Sequence, residues 1–333
     1  MTETIRAIQF GCGPIGRSIA RAASQRRDVR LVGAIDRDPA MIGRDLADLD
    51  GRSGPLGVVV TDDLGQLVAK TKPQVAFHAT GSRLAGVREQ LAQLLQAGLN
   101  VVSTCEELTF PYGDDAHIAA DLGRIASDHG VSILSTGINP GFIMDSWPLF
   151  MTGVCQKVER IRVERVQDAG VRRLPFQQKI GAGRTLDEFQ ELLRARKVQH
   201  VGLTESVAMI AAGLGWELSG ITEEVAPIIA DDAVRSEQIE VPSGHVAGAR
   251  QVGRGFSGGV ELITLEFLAY IGAPRSYDAV HITGVPTFTV EIDGGVHGDV
   301  ATAAIVVNAA RRVVEARPGL ITMKDLPLVS AGQ

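Results

Sequence analysis

The chain lacks most features that would tie it to an oxidising compartment, a membrane or nucleic acid. Its 333 residues hold only three cysteines, Cys12, Cys105 and Cys155. They are far apart and odd in number, so a disulfide framework is not expected and reduced thiols in a cytoplasm are. No apolar run reaches the roughly 18 residues that span a bilayer. The start, MTETIRAIQF, has no basic segment followed by an apolar one, and reads as no secretory signal. The net charge is −6 and no basic cluster stands out. Neither nucleic acid nor an anionic membrane is therefore an expected partner. The histidines and cysteines show no metal-ligand spacing, so no metal is expected. There is no internal repeat and no low-complexity segment. What remains is 45% apolar and 22% charged, an ordinary globular balance, and long enough for two domains with sizeable cores.

The stretch Ile5 to Ala22, IRAIQFGCGPIGRSIARA, organises the rest. A short apolar strand runs into Gly11-Cys12-Gly13-Pro14-Ile15-Gly16, and Ile15, Ile19, Ala20 and Ala23 follow at helical spacing. This is a G-x-G-x-x-G turn between a first strand and a first helix. Gly11 permits the tight turn, Gly13 lets backbone approach a pyrophosphate, and Gly16 lets helix pack close to strand. The helix start offers unpaired N–H groups to phosphate. Asp36 ends a second strand, Val29 to Ile35, twenty residues after Gly16. A carboxylate there accepts from an adenosine ribose hydroxyl and favours NAD, whereas the neighbouring Arg37 would pair with the 2′-phosphate of NADP. Dual use of NAD and NADP stays open, as does a solvated Arg37.

Strand and helix then alternate. A helix is expected over Ala40 to Leu46, a short strand over Val58 to Thr61, and a helix starting at Asp62 or Asp63. The buried strand Gln74 to Ala79 ends in Thr80-Gly81-Ser82. In an open α/β sheet that edge faces the ligand, so Ala79, Thr80, Gly81 and Ser82 are candidate cofactor contacts, with plain turn chemistry as the alternative. His78, inside the strand, reads as a satisfied core histidine. A helix over Ala85 to Ala97 leads to the strand Val101 to Thr104, which delivers Cys105-Glu106-Glu107-Leu108 to the same edge. A helix over Asp114 to His129 and a strand over Val131 to Ser135 precede Thr136-Gly137-Ile138-Asn139-Pro140-Gly141-Phe142. The pattern predicts a Rossmann-type doubly wound parallel sheet, an α/β fold.

The second half differs. A long strand over Lys157 to Gln167 precedes the capping box Thr185-x-x-Glu188, which opens a helix to about Arg196. Another helix covers Glu205 to Leu214, its small residues pointing to close packing. Strands are expected at Val225–Ala230, Ala247–Phe256, Val260–Ala269, Val280–Thr283 and Thr287–Ile292. The last helix runs from Asp299 to Glu315 and stops at Pro318-Gly319. The expected organisation is a dinucleotide-binding domain over 1–145, an α+β substrate and dimerisation domain with a mixed or antiparallel sheet over 146–298, and a helix and tail over 299–333 packing back near the first domain.

GCGPIG, HATGS, STCEE and TGINPGF-x-MD, in this order, resemble the 2,4-diaminopentanoate dehydrogenases and the related native amine dehydrogenases. The N-terminal half resembles dihydrodipicolinate reductase. The likeness extends to QKIGAG (178–183), HVGLTES (200–206) and GDVATAA (298–304). It implies reversible oxidative deamination of an amine with NAD(P), or reductive amination of a carbonyl with ammonia, by a homodimer built on the second domain. Two similar enzyme types fit less well. Pro242-Ser243-Gly244 has no His-His before it, unlike the dihydrodipicolinate reductases. Homoserine dehydrogenases place a lysine near the strand end where this chain has Glu106.

Amine oxidation needs a neutral amine, negative charge beside the developing iminium, and a carbon close to the nicotinamide. A carboxylate at the sheet edge meets the first two needs. Adjacent residues on extended chain point to opposite sides, so one of Glu106 and Glu107 faces the substrate. Glu106 is favoured and Glu107 is a close second; structural ion pairing is the competing reading. Partial desolvation and its like-charged neighbour are expected to raise the catalytic glutamate's pKa. Cys105 and Asn139 are candidate cofactor contacts, Asn139 through the nicotinamide carboxamide. Pro140, Phe142, Met144, Trp147 and Thr302 are candidate substrate contacts, with hinge packing as an alternative for the first four. The expected substrate is a small uncharged amine or carbonyl. A diamino acid such as 2,4-diaminopentanoate would need a carboxylate clamp, for which Arg172, Arg173 and Lys179 are available. A nucleotide-binding sensor without catalysis is the reading from another class.

Overall fold

A computed structural model of the chain describes residues 3–49 and 54–332. The chain divides into two compact units, Met1–Phe142 with His297–Gln333, and Ile143–Val296. The first unit begins with β1 (Ile5–Phe10), α1 (Pro14–Ser24), β2 (Val29–Ile35), α2 (Leu46–Leu49), β3 (Val60–Thr61) and α3 (Leu64–Thr71). It continues with β4 (Val75–His78), α4 (Leu84–Gln96), β5 (Asn100–Ser103), α5 (Ala116–Asp128) and β6 (Ser132–Ser135).

The second unit contains α6 (Ser146–Thr152), β7 (Lys157–Asp168), α7 (Leu174–Lys179), α8 (Leu186–Arg194), α9 (Leu203–Leu214) and β8 (Gly220–Ile229). A small hairpin, β9 (Val234–Arg235) and β10 (Glu240–Val241), precedes β11 (Val246–Ser257), β12 (Val260–Tyr270), β13 (Tyr277–Val285) and β14 (Phe288–Asp293). The first unit then resumes with α10 (Gly298–Val314) and β15 (Gly319–Ile321).

The first unit's sheet has the order β15-β6-β5-β4-β1-β2-β3, and every neighbouring pair is parallel. Helices cover both faces of such a sheet, which is why β4 and β6 are buried at every residue. α1 buries Gly16, Ile19, Ala20 and Ala23 and packs on α10. α10 buries Ala303, Val306, Val307, Ala309, Ala310 and Val313, so its apolar residues serve more than one neighbour. The chain order reverses between β1 and β4. In parallel sheets the crevice beyond the strand ends at such a reversal is where ligands sit.

The second unit holds a six-stranded mixed sheet, β14-β13-β7-β12-β11-β8, with β7 and β12 parallel and the other pairs antiparallel. One face carries Ile161, Val163, Ile263, Leu265, Val280 and Ile282 into the core, where Leu203, Val207 and Ile210 of α9 meet them. The small residues of this region allow that approach: a Cβ on Gly255 would lie 2.9 Å from Val207, and one on Gly253 3.1 Å from Leu203. The other face is polar. Glu266 accepts from Arg162 at 2.9 Å and from Arg250 at 2.5 Å across three adjacent strands.

One expected element moves and one unexpected strand appears. Residues 39–44 form turns, and the helix expected over Ala40 to Leu46 appears instead as α2. Asp45 causes the shift: its carboxylate accepts from the N–H groups of Ala47, Leu56 and Gly57 and so caps a later, shorter helix. The strand β15, which follows the Pro318-Gly319 stop, adds to the edge beside β6. No helix among the described residues is long and apolar enough to cross a membrane.

Candidate active site

The Gly-rich turn is built by steric need at two glycines and by open space at a third. Gly11 has φ +89°, and a Cβ there would lie 2.5 Å from the Ala79 carbonyl oxygen. A Cβ on Gly16 would lie 1.8 Å from the Gly11 carbonyl oxygen, so helix and strand approach only because both side chains are absent. Gly13 is different: a Cβ there would meet nothing within 4 Å. That glycine is the N-cap of α1, has no side-chain cap, and is followed by Pro14 at the first helical position. The helix start is therefore bare, and the space above it suits a phosphate against backbone N–H groups. Gln9 braces the turn from below, its Nε2 donating to the Gly11 carbonyl at 2.9 Å.

Asp36 lies just past β2, half-buried. One carboxylate oxygen accepts from the Cys12 N–H at 2.6 Å and the other from the Asp38 N–H at 3.0 Å. Its negative charge is thus fixed beside the turn, while Arg37 is exposed. Both signs of the cofactor-choice argument are present at one edge. Cys12 is inert there: burial first, then the Asp36 charge, pushes its thiol up to about 12. Ile15 is half-buried on α1.

At the end of β4, His78 is wholly buried and anchors the loop that follows. Ser103 of β5 meets its Nδ1 at 2.9 Å, and Gln90 Oε1 meets its Nε2 at 3.0 Å. A carbonyl oxygen only accepts, so Nε2 carries the proton and Nδ1 accepts from the Ser103 hydroxyl. Burial pushes the imidazole pKa down to about 4, which keeps it neutral at ordinary pH. The exposed Thr80 lies 2.8 Å from the same Nε2 and donates to Gln90 at 2.6 Å. Gly81 is exposed, and Ala79 and Ser82 are half-buried. Ser82 supplies its carbonyl to the Glu107 N–H at 3.3 Å and to the Cys105 thiol at 3.4 Å, stitching the β4 and β5 loops together. Burial raises the Cys105 thiol above its ordinary range.

The two glutamates are separated by their surroundings. Both belong to a short 3-10 turn, Glu106–Leu108. Glu107 is buried, and one carboxylate oxygen pairs with Arg83 Nη1 at 2.5 Å while the other accepts from the Leu84 N–H at 2.6 Å. Leu84 opens α4, so Glu107 caps a helix start and faces the positive end of its dipole. Glu106 is half-buried at the C-terminal edge of β5. The Arg83 partner had no sequence signal, since it lies 24 residues away. The Gln90 anchor of His78 was likewise invisible.

The loop after β6 carries Asn139, buried, in a cis peptide with Pro140. Gly141 has φ +119°, and a Cβ there would sit 2.3 Å from the Gly137 nitrogen. The Thr302 hydroxyl of α10 accepts from the Ile138 N–H at 3.3 Å, so this loop is tied to the last helix. Phe142 is half-buried at the end of the first unit. Within the second unit, Met144 is wholly buried in the core and Trp147 packs against it. Arg172 and Arg173 line one cleft of that unit, whereas Lys179 lines a separate small apolar cavity. Among the described residues no group of three His, Cys, Asp or Glu could hold a metal ion.

Residues 142–332 match the family model of the 2,4-diaminopentanoate dehydrogenase C-terminal domain, and residues 5–105 match that of the dihydrodipicolinate reductase N-terminus. The 2,4-diaminopentanoate dehydrogenase of Acetoanaerobium sticklandii is 31% identical, with 99% of this chain and 95% of that one covered. An amine dehydrogenase of Streptomyces virginiae is 24% identical over 97% of this chain and 96% of its own. The solved amine dehydrogenase of Mycobacterium smegmatis is similar in structure, with a TM-score of 0.85, 26% identity, and 98% and 97% of the two chains covered. With a Gly-rich turn, a bare helix start and an acidic strand end on a parallel sheet, and with relatives matched along nearly the whole length, the chain belongs to the 2,4-diaminopentanoate dehydrogenase family.

Proposed function

We propose that the chain is an NAD(P)-dependent amine dehydrogenase that interconverts a small primary amine and its ketone or aldehyde, with ammonia as the other carbon-free partner. The observation that carries this is Glu106, half-buried at the strand edge of a sheet whose Gly13 leaves open space for a dinucleotide. Gly11, Gly13, Pro14, Ile15 and Gly16 would hold the pyrophosphate. Asp36 and Arg37 would meet the adenosine ribose. Ala79, Thr80, Gly81, Ser82, Cys105 and Asn139 would line the nicotinamide side. A nicotinamide held by these residues would supply hydride acceptance in the oxidative direction and hydride donation in the reductive one.

The chain's own part is acid–base and electrostatic. Glu106 takes a proton from the substrate ammonium, leaving a neutral amine whose nitrogen lone pair drives hydride departure from the adjacent carbon. Once Glu106 has passed that proton to solvent water, its carboxylate lies beside the substrate iminium, where its charge is worth more than in water. Water adds to that carbon, and ammonia leaves as the carbonyl forms; in reverse, Glu106 protonates the hydroxyl that departs as water. Glu107 cannot share this work without releasing Arg83 and the α4 start. Pro140, Phe142 and Thr302 are the proposed substrate contacts of the first unit.

The test is consumption of NADH or NADPH with cyclohexanone or a short aldehyde and ammonia. No consumption across a broad carbonyl panel would sink the reading. A second reading, a dehydrogenase of the diamino acid 2,4-diaminopentanoate, is favoured by the 31% identical relative. Comparing its oxidation rate with that of a simple amine decides between the two. We also propose a homodimer built on the second unit, on the family resemblance; light scattering of the pure protein at a single-chain mass would end that proposal.

A further inference from the structure

A row of polar side chains closes the central strands of the first unit. His78 of β4, Ser103 of β5 and Ser135 of β6 are register partners on adjacent strands, and all three are wholly buried. The rung before them, Phe77, Val102 and Leu134, is apolar. Burying a polar row costs free energy unless its hydrogen bonds are made. Here both serine hydroxyls are directed at one residue, Cys105, two positions past the end of β5.

The Ser103 hydroxyl donates to His78 Nδ1 at 2.9 Å, since the imidazole proton is on Nε2 and meets Gln90. That hydroxyl in turn accepts from the Cys105 N–H at 3.0 Å. The Ser135 hydroxyl donates to the Cys105 carbonyl at 2.6 Å, with the Ser103 carbonyl at 3.1 Å as a second acceptor. The same Cys105 carbonyl accepts from the Leu108 N–H at 3.1 Å and so closes the 3-10 turn that carries Glu106. Peptide units are planar. The Cys105 carbonyl shares its plane with the nitrogen and Cα of Glu106, and the Cys105 N–H belongs to the plane before it. Two buried serines thus fix two successive peptide planes, and the second sets where the Glu106 Cα lies. The ladder itself cannot do this, because the register of β5 with β6 stops at Ser103 and Ser135. Glu107 has its own anchors, Arg83 and the Leu84 N–H, on its carboxylate.

We infer that Ser103 and Ser135 are positioning residues: acting through the backbone of Cys105, they hold Glu106 where its carboxylate meets the substrate nitrogen. The inference rests on the reading of Glu106 as the acid–base group. A displacement of about 1 Å in such a group costs on the order of 10²-fold in rate. Ser135→Ala keeps the Leu108 bond, so a smaller shift is expected. Its kcat with cyclohexanone, ammonia and NADPH should fall about tenfold, while KM and the Kd for NADPH stay within about twofold of the parent. Ser103→Ala should behave alike; should it fail to fold, Ser135→Ala carries the kinetic test. The deciding measurement is a double-mutant cycle. In a Glu106→Ala background the serine substitutions should lose their effect on kcat, because no carboxylate is left to place. A merely structural role would lower kcat by the same factor in both backgrounds and would overturn the inference. A reading without turnover comes from 15N labelling of the three cysteines alone. Solvent exchange of the Cys105 amide should be about tenfold faster in Ser103→Ala, with Cys12 unchanged. Unaltered exchange at Cys105 overturns the inference as well. Full turnover in Glu106→Ala would fail the reading of Glu106 and take this inference with it. Full turnover in Ser135→Ala beside a slow Glu106→Ala would fail this inference alone.

Discussion

Arg83 and Glu107 form an ion pair at 2.5 Å, and the second oxygen of the same carboxylate accepts the first N–H of α4 at 2.6 Å. Of the two adjacent glutamates, then, one is committed to holding a helix start. Glu107→Ala would leave the buried Leu84 N–H without its acceptor. The Arg83 pair adds little, because that guanidinium is 47% exposed. The expected loss is about 1–3 kcal/mol of stability, seen as a lower thermal midpoint, with turnover largely kept. Glu106→Ala should act on turnover instead, with a kcat lower by roughly 10²–10⁴-fold. Steady-state kinetics beside thermal melts separates the two, and a Glu106→Ala enzyme at full turnover removes the base from the mechanism.

The Gly-rich turn makes a paired prediction. Gly16→Ala places a methyl group against the Gly11 carbonyl, where neither backbone can yield, so the fold should lose about 3 kcal/mol or more. Gly13→Ala meets nothing in the protein. Its thermal midpoint should stay put while the dissociation constant for NAD(P)H rises about tenfold, since the methyl group occupies space left for the phosphates. Fluorescence titration of bound NADPH reads this. Undiminished binding by the Gly13→Ala protein would mean the pyrophosphate lies elsewhere.

What was legible in the sequence was what depends on near neighbours or on period. The turn, the strand–helix alternation and the capping box of α8 all came through, the last because Thr185 and Glu188 are three residues apart and satisfy each other. The acidic strand end was legible as a place, since a parallel sheet sends every strand end to one edge. The pairing of Glu107 was not. It depends on Arg83 and Leu84, more than twenty residues from Glu107, and no local pattern encodes that contact. The same holds for Asp45, whose carboxylate is drawn to N–H groups eleven and twelve residues on and so displaces a helix. It holds also for β15, three residues long, which is a strand only because β6 offers it an edge.

Cofactor choice should respond to Asp36 and Arg37 in opposite directions. Asp36→Asn keeps an oxygen for the Cys12 N–H and removes the charge that repels a 2′-phosphate. The ratio of kcat/KM with NADP to that with NAD should rise about tenfold. Arg37 is exposed and has no role in the core, so Arg37→Ala should lower NADP use selectively without moving the thermal midpoint. Equal losses with both coenzymes for either variant would place the adenosine ribose away from this edge.

His78 gives the protein a defined acid sensitivity. Its pKa is pushed from the ordinary 6.5 to about 4 by burial, so the folded state resists protonation that the unfolded chain accepts. Between those two values the unfolded state binds more protons, and stability therefore falls as pH falls. The contribution is intact above pH 6.5, declines from there, and is fully lost by about pH 4. At its largest the loss is about 3 kcal/mol. Urea unfolding across this window should show the decline in the parent protein. In His78→Asn, whose amide titrates nowhere in the range, the slope should flatten even though the starting stability is lower, because Ser103 and Gln90 are left with a shorter partner. Identical slopes in the two proteins would mean that the imidazole is protonated in the folded state. The Ser103–His78–Gln90 chain as drawn here, with its proton on Nε2, would then be wrong.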